Sequence, residues 1–338
     1  MRLHFHPFDL RLRHTFTISR GSVDVQPTLI VELEHDGHRG YGEATSNTYY
    51  DVTIASMTEH LERLRPKIES FAWNDPAELW EALKTDLADD PFAHCALDQA
   101  AHDLWGKLHH QPVWQLWGLK LESLPRSNYT IGIDTIPVMQ AKLREFADWP
   151  VFKIKLGTSQ DVEIVQALRQ ITDRPFRVDA NCGWTAEETL ERAATLAGLN
   201  VEFIEQPLPR EAWGEMRRVF EHSQRPIMAD ESCQREDDVE RCAGLFHGIN
   251  IKLVKCGGLT PARRMIARAR QLGLKTMVGC MTESTVGISA IAQLLPLLDY
   301  VDMDGAALLA ADIARGVQVV RGEAEFPPVA GCGVELFN

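Results

Sequence analysis

Five charged side chains of the types that bind metal ions or move protons recur at nearly even spacing along the second half of the chain. Each one closes a short apolar run, and in sequence order they are Lys155 in VFKIK, Asp179 in FRVD, Glu205 in VEFIE, Asp230 in PIMAD and Lys255 in INIKLVK. Three carboxylates on neighbouring strands cannot all stay ionised without a nearby cation. Because hard oxygen ligands suit Mg²⁺, we predict a Mg²⁺ site formed by Asp179, Glu205 and Asp230.

The two lysines of this set are predicted to face each other across the metal. Partial burial, the neighbouring Lys153 and a divalent cation would all lower the pKa of Lys155 and Lys255. Two opposed bases can remove a proton from one face of a carbon and return one to the other face. A metal on an adjacent carboxylate would stabilise the enediolate formed in between. The residues therefore predict a 1,1-proton transfer next to a carboxylate.

Two other functions fit parts of this pattern. A Schiff-base lyase would use Lys155 or Lys255 covalently, but it leaves the three carboxylates without a role. A barrel that only binds ligands would be expected to have lost at least one of the five residues, and all five are present.

The elements that must position these residues alternate between apolar strands and amphipathic helices, from NYTIGI to YVDMDG. The eight predicted strand ends include Thr130, Cys280 and Asp304, and successive ends are 24 to 26 residues apart. A repeated βα unit with eight strands predicts a (β/α)8-type barrel, whose active site lies at the carboxyl ends of the strands. A doubly wound sheet is the alternative, although it does not require a polar residue at every strand end. No strong helical pattern follows the last strand.

The remaining sequence predicts a smaller companion domain. Residues 1–44 alternate between apolar and polar, with a turn at Asp36-Gly37, and residues 51–116 carry apolar positions at helical spacing. We predict an α+β capping domain over 1–122, the barrel over 123–310, and a segment 311–338 that returns to the capping domain.

Composition narrows the possible partners and location. The 338 residues carry a net charge of −13, which disfavours nucleic acid and anionic membrane surfaces as partners. The N-terminus does not read as a signal peptide, and no apolar run reaches about 18 residues. The seven cysteines are scattered without a CxxC pair, which favours reduced thiols in the cytoplasm. The sequence does not distinguish a monomer from a homo-oligomer.

The ordered motifs KIKLG, DAN, EQP, ADES and NIKLVKCGG resemble the muconate-lactonising subgroup of the enolase superfamily. The resemblance implies a (β/α)7β modified TIM barrel, with Lys155 and Lys255 as the acid/base pair and Asp179, Glu205 and Asp230 as Mg²⁺ ligands. It also implies supporting roles around this centre: Lys153 as an electrostatic helper at the substrate, Asn181 and Glu231 beside the metal ligands, and Thr130 and the 281–284 loop in the pocket wall.

The DMDG motif at the eighth strand separates the reactions of this subgroup. Asp302 and Asp304, opposite the metal, would bind an ammonium group and repel an anionic muconate or succinylbenzoate. An Asp-x-Asp at this place resembles the dipeptide epimerases. We therefore predict a Mg²⁺-dependent isomerase that epimerises the C-terminal residue of a dipeptide. The alternatives are the N-acylamino acid racemase, o-succinylbenzoate synthase and cycloisomerase reactions of the subgroup.

Arg20 is the predicted determinant of substrate choice. It lies in FTISRGS, between the first two strands, in a loop that closes over the barrel mouth in this family. The stretch resembles the L-Ala-D/L-Glu epimerases, which implies that Arg20 binds the side-chain carboxylate of a C-terminal glutamate; the alternative is an arginine that only solvates the loop. The expected substrate is L-Ala-D/L-Glu or a related dipeptide. A peptidoglycan fragment would place the enzyme in cell wall peptide metabolism.

Overall fold

The capping domain begins with a three-stranded antiparallel meander. The computed structural model describes residues 1–72 and 74–337, and its first sheet contains β1 (Arg2–Ile18), β2 (Gly21–His35) and β3 (His38–Thr45) in that order. Asp36 and Gly37 both have positive φ and form the turn between β2 and β3 where the sequence predicts it. The turn between β1 and β2 also has two residues, and the second of them is Arg20.

Helices cover one face of this sheet. They are α1 (Ile54–Ser70), α2 (Pro76–Leu83), α3 (Pro91–Leu108) and α4 (Val113–Leu116). Gly40 and Gly42 of β3 leave no room for a Cβ atom, because the backbone of α3 at Ala100 and Ala96 lies directly against them. Helix α3 can approach this closely because its buried face is rich in alanine.

Eight parallel strands form the second sheet, in the order in which they occur in the sequence. They are β4 (Tyr129–Ile131), β5 (Phe152–Lys155), β6 (Phe176–Asp179), β7 (Val201–Glu205), β8 (Ile227–Ala229), β9 (Gly248–Ile251), β10 (Lys275–Gly279) and β11 (Tyr300–Asp302). A parallel bridge between Ser127 and Val301 joins the first strand region to the last. The prediction of a barrel is confirmed.

The helices that connect these strands lie between them in sequence. They are α5 (Ile136–Glu145), α6 (Asp161–Arg169), α7 (Ala186–Ala197), α8 (Trp213–His222), α9 (Glu236–Cys242), α10 (Leu253–Cys256), α11 (Leu259–Gln271) and α12 (Thr285–Ala292). After β11 there is a short 3-10 helix over Gly305–Leu308, and the part described up to residue 337 contains no further α-helix. This is the (β/α)7β arrangement that the resemblance implies.

The charged residues mostly stand where the strand pattern places them. Lys155, Asp179 and Glu205 are the last residues of β5, β6 and β7, and Asp230 follows β8 directly. The prediction that Lys255 ends the sixth strand is wrong. Strand β9 ends at Ile251, and the chain turns into α10 before it reaches Lys255. The even spacing of the other strand ends placed the end of β9 at Lys255, which is about one helical turn beyond its actual end at Ile251.

The C-terminal segment contains the short strands β12 (Ala314–Arg315), β13 (Gln318–Val320), β14 (Glu323–Glu325) and β15 (Glu335–Leu336). Near its end, the carbonyl oxygen of Gly331 accepts a hydrogen bond from the backbone N–H of Val113 at 3.0 Å. The carbonyl oxygen of Val334 accepts one from Lys107 at 2.8 Å. These contacts join the segment to α3 and α4; position 338 lies outside the described residues, and the domain bounds given above stay a prediction.

All seven cysteines are free thiols, and six of them are buried. Burial raises the pKa of the Cys256 thiol to about 12, so this thiol is held in the neutral form. Among the helices described, none combines the length and the apolar character needed to cross a bilayer.

Candidate active site

A cavity of about 560 Å³ lies between the carboxyl ends of the barrel strands and the capping domain. This volume is in the range of small-molecule sites. Both domains line it. The capping domain contributes Phe16, Ile18, Arg20, Tyr49 and Tyr50, and the barrel contributes Thr130, Lys153, Lys155, Asn181, Asp230, Glu231, Lys252, Met281, Thr282, Asp302 and Asp304, among others. Most of the residues predicted from the sequence are therefore brought together at one place.

The three predicted metal ligands form one compact group. One carboxylate oxygen from each of Asp179, Glu205 and Asp230 lies within 4.8 Å of the others. All three residues are buried, and Asn250 donates a hydrogen bond to Oε1 of Glu205 at 2.8 Å. The backbone N–H of Asn181 donates to Oδ1 of Asp179 at 2.9 Å. Three buried, oriented oxygen donors beside an open cavity fit a hard cation such as Mg²⁺.

Lys153 contacts two members of this group and also Asp302. Its Nζ is 3.1 Å from Asp179, 2.8 Å from Glu205 and 2.8 Å from Asp302. Burial acts to lower the pKa of Lys153, but these carboxylates together raise it well above its usual value. Burial and the charge of Asp179 raise the pKa of Glu205 to about 7. Lys153 thus balances part of the negative charge that the cluster concentrates.

Two lysines flank the carboxylate group on the cavity side. Nζ of Lys155 is 2.7 Å from Oδ2 of Asp179, and Nζ of Lys252 is 3.0 Å from Oδ2 of Asp230. Burial acts to lower the pKa of Lys252, but Asp230 raises it above its usual value. For Asp179, burial acts to raise the pKa, and the Lys155 and Lys153 ammonium groups outweigh it and lower it.

Lys252 is a candidate functional residue that sequence reasoning missed. It follows β9 directly and stands two residues after Asn250, whose side chain contacts Glu205 inside the barrel. Alternate residues of a strand share a face, so the inward position of Asn250 already implies an inward Lys252. This alternation within INIK was the available signal, and the regular distance between strand ends obscured it.

Lys255 is placed behind the site instead of in it. Its side chain has no exposed surface, and its Nζ donates to Oδ1 and to the carbonyl oxygen of Asp230, both at 2.5 Å, and to the carbonyl oxygen of Cys233 at 3.1 Å. Burial acts to lower the pKa of Lys255, but the Asp230 carboxylate raises it above its usual value. The expectations that Lys255 faces the cavity and that its pKa is lowered are therefore both wrong.

Asp302 and Asp304 line the cavity as predicted, but their environments differ. Asp302 accepts hydrogen bonds from Lys153 at 2.8 Å and from Asn128 at 2.7 Å. The ammonium of Lys153 outweighs the effect of burial and lowers the pKa of Asp302. Asp304 accepts the backbone N–H of Thr130 at 2.5 Å and has a long contact with the Cys280 thiol. Burial and the charge of Asp302 raise the pKa of Asp304 to about 7.

Arg20 reaches the cavity from the turn between β1 and β2. Its Nη1 is 2.9 Å from Oε1 of Glu231 and donates to the carbonyl oxygen of Asn181 at 3.1 Å. The guanidinium lies over the ring of Tyr49, with its Cζ 4.4 Å from the ring centre. The side chain is 31% exposed, so part of the guanidinium is available to a ligand. The contact with Glu231 also gives Arg20 a fixed counter-charge, which the sequence did not indicate.

The residues of the 281–284 loop contact two places, the cavity and the junction between the two domains. Met281 and Thr282 line the cavity. Glu283 is buried away from it, with its Oε1 accepting the N–H of Met281 at 3.0 Å. The neighbouring Ser284 donates both its N–H and its hydroxyl to Glu43 of the capping domain. This loop therefore connects the wall of the cavity to β3.

Two family models match the chain. The model described as "Enolase C-terminal domain-like" matches residues 138–337, and the model described as "Mandelate racemase / muconate lactonizing enzyme, N-terminal domain" matches residues 6–118. The first match covers most of the barrel and the C-terminal segment, and the second covers the meander and the four helices that follow it.

Individual proteins match over most or all of their length. An L-Ala-D/L-amino acid epimerase of Flavobacterium johnsoniae is 52% identical over 337 residues, covering 100% of both chains. An L-Ala-D/L-Glu epimerase of Bacteroides thetaiotaomicron is 40% identical, covering 99% of this chain and 88% of that protein. Among solved structures, a dipeptide epimerase of Enterococcus faecalis complexed with Mg and L-Leu-L-Tyr superposes with a TM-score of 0.93 at 30% identity, covering 98% of each chain.

Proposed function

The chain belongs to the mandelate racemase / muconate lactonizing enzyme family of the enolase superfamily, and we propose on this basis that it is a Mg²⁺-dependent dipeptide epimerase. The observation that carries the proposal is the placement of Lys155 and Lys252 beside the outer two members of the carboxylate group, Asp179 and Asp230. Relatives that are 52% and 40% identical are both named epimerases of L-Ala dipeptides.

The two lysines are the proposed acid and base. A dipeptide whose C-terminal carboxylate points to the three ligands would hold its α-carbon between Lys155 and Lys252. One Nζ, once neutral, accepts the α-proton on one face, and the other donates a proton on the opposite face. Both lysines are largely buried, so bulk water has little access to either nitrogen. Bound Mg²⁺ would stabilise the negative charge on the substrate carboxylate as the α-proton leaves.

The N-terminal end of the dipeptide is proposed to lie at Asp304. Asp302 is already paired with Lys153, whereas Asp304 contacts no cation among the described residues. A free α-ammonium beside Asp304 would provide that partner and favour the ionised form of the carboxylate. This requirement selects a dipeptide with a free amine over an N-acylated amino acid.

The C-terminal side chain is proposed to meet Arg20. Because Glu231 already balances one side of the guanidinium, Arg20 can also sit beside a neutral side chain without leaving an unpaired charge. We therefore propose L-Ala dipeptides as substrates, with glutamate among several accepted C-terminal residues. The names of the two relatives, one for L-Ala-D/L-amino acid and one for L-Ala-D/L-Glu, span this range.

The test follows stereochemical inversion on four substrates. Purified protein with Mg²⁺ is given L-Ala-L-Glu, L-Ala-L-Leu and the N-acetylated form of each, and the products are separated by chiral chromatography. We expect the L,D diastereomer from the free dipeptides and at least tenfold lower kcat/KM for the acetylated ones. A higher kcat/KM on acetylated substrates would indicate an N-acylamino acid racemase instead.

We also propose that the protein works in a reducing compartment such as the cytoplasm. Seven free thiols are typical of such a compartment. If the substrate derives from peptidoglycan, the activity belongs to cell wall peptide metabolism. Assay of cell extract against free L-Ala-L-Glu, before and after deletion of the gene, would test this placement.

A further inference from the structure

Lys255 is a fully buried lysine whose three N–H donors have three acceptors. Two of them belong to Asp230, at its Oδ1 and its backbone oxygen, and the third is the carbonyl oxygen of Cys233. A lysine ammonium has three donors and no acceptor, so its hydrogen bonding is complete. Burying an ammonium group is costly unless it is paired and hydrogen-bonded. The three hydrogen bonds therefore fix the position of the Lys255 ammonium and of the Asp230 carboxylate.

The two carboxylate oxygens of Asp230 have different partners. Oδ1 is turned toward the protein interior and Lys255, while Oδ2 lies 3.0 Å from Lys252 on the cavity side. Asp230 lies just beyond the end of β8, so the strand ladder does not hold it as it holds Asp179 and Glu205. Its orientation depends on side-chain contacts, and Lys255 makes the shortest of them.

The helix that carries Lys255 is held by the capping domain. Nε1 of Trp80 donates to the carbonyl oxygen of Gly257 at 2.9 Å. Asp98 of α3 accepts the N–H of Thr260 at 2.9 Å and its hydroxyl at 2.7 Å. Gly258, with φ of +118°, lies directly against Asp98 and leaves no space for a side chain. These contacts from α2 and α3 fix the turn that follows α10.

We propose that Lys255 is a positioning residue that fixes Asp230 in the orientation needed to bind the metal ion. The inference rests on the Mg²⁺ site proposed above. Mg²⁺ requires near-octahedral geometry with short ligand distances, so a carboxylate that can rotate is a poorer ligand than one held in place. Groups that orient a metal ligand typically change metal affinity or activity by about 10- to 100-fold when removed.

Removal of Lys255 has two opposite effects on the affinity for Mg²⁺. The direction of the net change distinguishes a positioning role from a purely electrostatic one. Loss of a positive charge near the site would strengthen Mg²⁺ binding, because the lysine repels the cation. Loss of the hydrogen bonds to Asp230 would weaken binding. The proposal requires the second effect to be larger.

The chain contains a closely matched control in Lys107. Its Nζ also donates to one carboxylate and two carbonyl oxygens, those of Asp103 at 2.6 Å, Arg39 at 2.7 Å and Val334 at 2.8 Å. It lies in α3, on the side of the capping domain that meets the C-terminal segment. A methionine at either position keeps most of the side-chain volume and removes the ammonium.

The experiment measures Mg²⁺ binding by isothermal titration calorimetry and unfolding by urea, on wild type, Lys255→Met and Lys107→Met. We expect both variants to lose stability, but only Lys255→Met to raise the Kd for Mg²⁺, by about 10- to 100-fold. An unchanged or lower Kd in Lys255→Met would overturn the positioning role while leaving the metal site intact. Absence of Mg²⁺ binding by wild type would overturn both.

A variant that keeps a donor guards against failure to fold. Lys255→Gln has a shorter side chain with two N–H donors and no charge, so it cannot replace all three hydrogen bonds of the lysine and holds Asp230 less firmly. If Lys255→Met does not fold, an increase in the Kd of Lys255→Gln supports positioning, because loss of charge alone would lower the Kd. A Kd equal to or below that of wild type contradicts it.

Discussion

Nζ of Lys252 lies 3.0 Å from Oδ2 of Asp230, on the side of the carboxylate that faces the cavity. On the other side of the carboxylate group, Lys155 stands in the same relation to Asp179, at 2.7 Å. Each lysine therefore has a carboxylate that orients it, and a substrate α-carbon placed between them would meet one nitrogen on each face.

The metal ligands can be tested by neutral substitutions of similar shape. Asp179→Asn, Glu205→Gln and Asp230→Asn should each lower kcat by about 100-fold or more, because a metal that stabilises developing charge contributes several kcal/mol and about 1.4 kcal/mol is tenfold in rate. EDTA should abolish the activity of wild type, and added Mg²⁺ should restore it. The exposed Asp237→Asn in α9 is the control. Full turnover by metal-free protein would contradict the assignment.

Arg20 should affect acidic substrates more than neutral ones. A charge-assisted hydrogen bond to a carboxylate contributes about 1.5–3 kcal/mol, so Arg20→Ala should lower kcat/KM on L-Ala-L-Glu by about 10- to 150-fold. The loss on L-Ala-L-Leu should be much smaller. Arg210→Ala, whose partner Glu211 is exposed, is the control. Equal losses on both dipeptides would mean that Arg20 closes the loop over the cavity without contacting the side chain.

Asp304 should matter only for substrates with a free amine. Asp304→Asn keeps an oxygen for the N–H of Thr130 but removes the charge that pairs with an ammonium. We expect kcat/KM on L-Ala-L-Leu to fall about 10- to 150-fold, from the same 1.5–3 kcal/mol. The low activity on N-acetyl-L-Ala-L-Leu should not fall. A parallel loss on both would show that Asp304 acts on the fold of the site and not on the ammonium.

The stability of the protein should depend on pH through Glu283. Burial, followed by the nearby charge of Glu43, raises the pKa of Glu283 to about 8. The folded state therefore holds a proton that the unfolded chain releases near pH 4.5, and the resulting stabilisation is lost as the pH rises toward 8. Glu283→Gln, which carries no such proton, should gain stability relative to wild type over this range, by about 1.4 kcal/mol per unit of pKa difference.

Urea unfolding of both proteins at pH 5 and pH 8 measures this change. Glu323→Gln, at an exposed position far from this pair in sequence, is the control. A difference between Glu283→Gln and wild type that is the same at both pH values would mean that Glu283 has an ordinary pKa in the folded state.

The barrel and its group of three carboxylates could be predicted because their signal is local. Asp179 and Glu205 each end an apolar strand, and the period of the βα unit placed these strands next to each other. The same period failed at Lys255, because strand β9 is followed at once by α10 and the distance between strand ends no longer reports the phase of the side chains. Alternation within the strand was the better guide there.

Contacts between the two domains had no local signal. Arg20 could be placed at the mouth of the barrel only through the resemblance, and its partner Glu231 could not be foreseen because it lies on the far side of the domain junction. The buried pair of Glu43 and Glu283 is a similar case. Each residue alone is an ordinary glutamate in a polar stretch, and only the packing of β3 against the barrel loop removes both from water.

The most direct test of the account is deuterium exchange at the α-carbon in D₂O with Mg²⁺. Each diastereomer of Ala-Glu is incubated separately with wild type, Lys155→Ala, Lys252→Ala and the control Lys275→Ala, whose exposed ammonium pairs with Asp299. Mass spectrometry reports deuterium, and chiral chromatography reports inversion. Wild type and the control should do both with either diastereomer. We predict that neither active-site variant inverts its substrate, and that each exchanges the α-proton of one diastereomer only, a different one for each lysine. Inversion at the wild-type rate by Lys252→Ala would contradict the account.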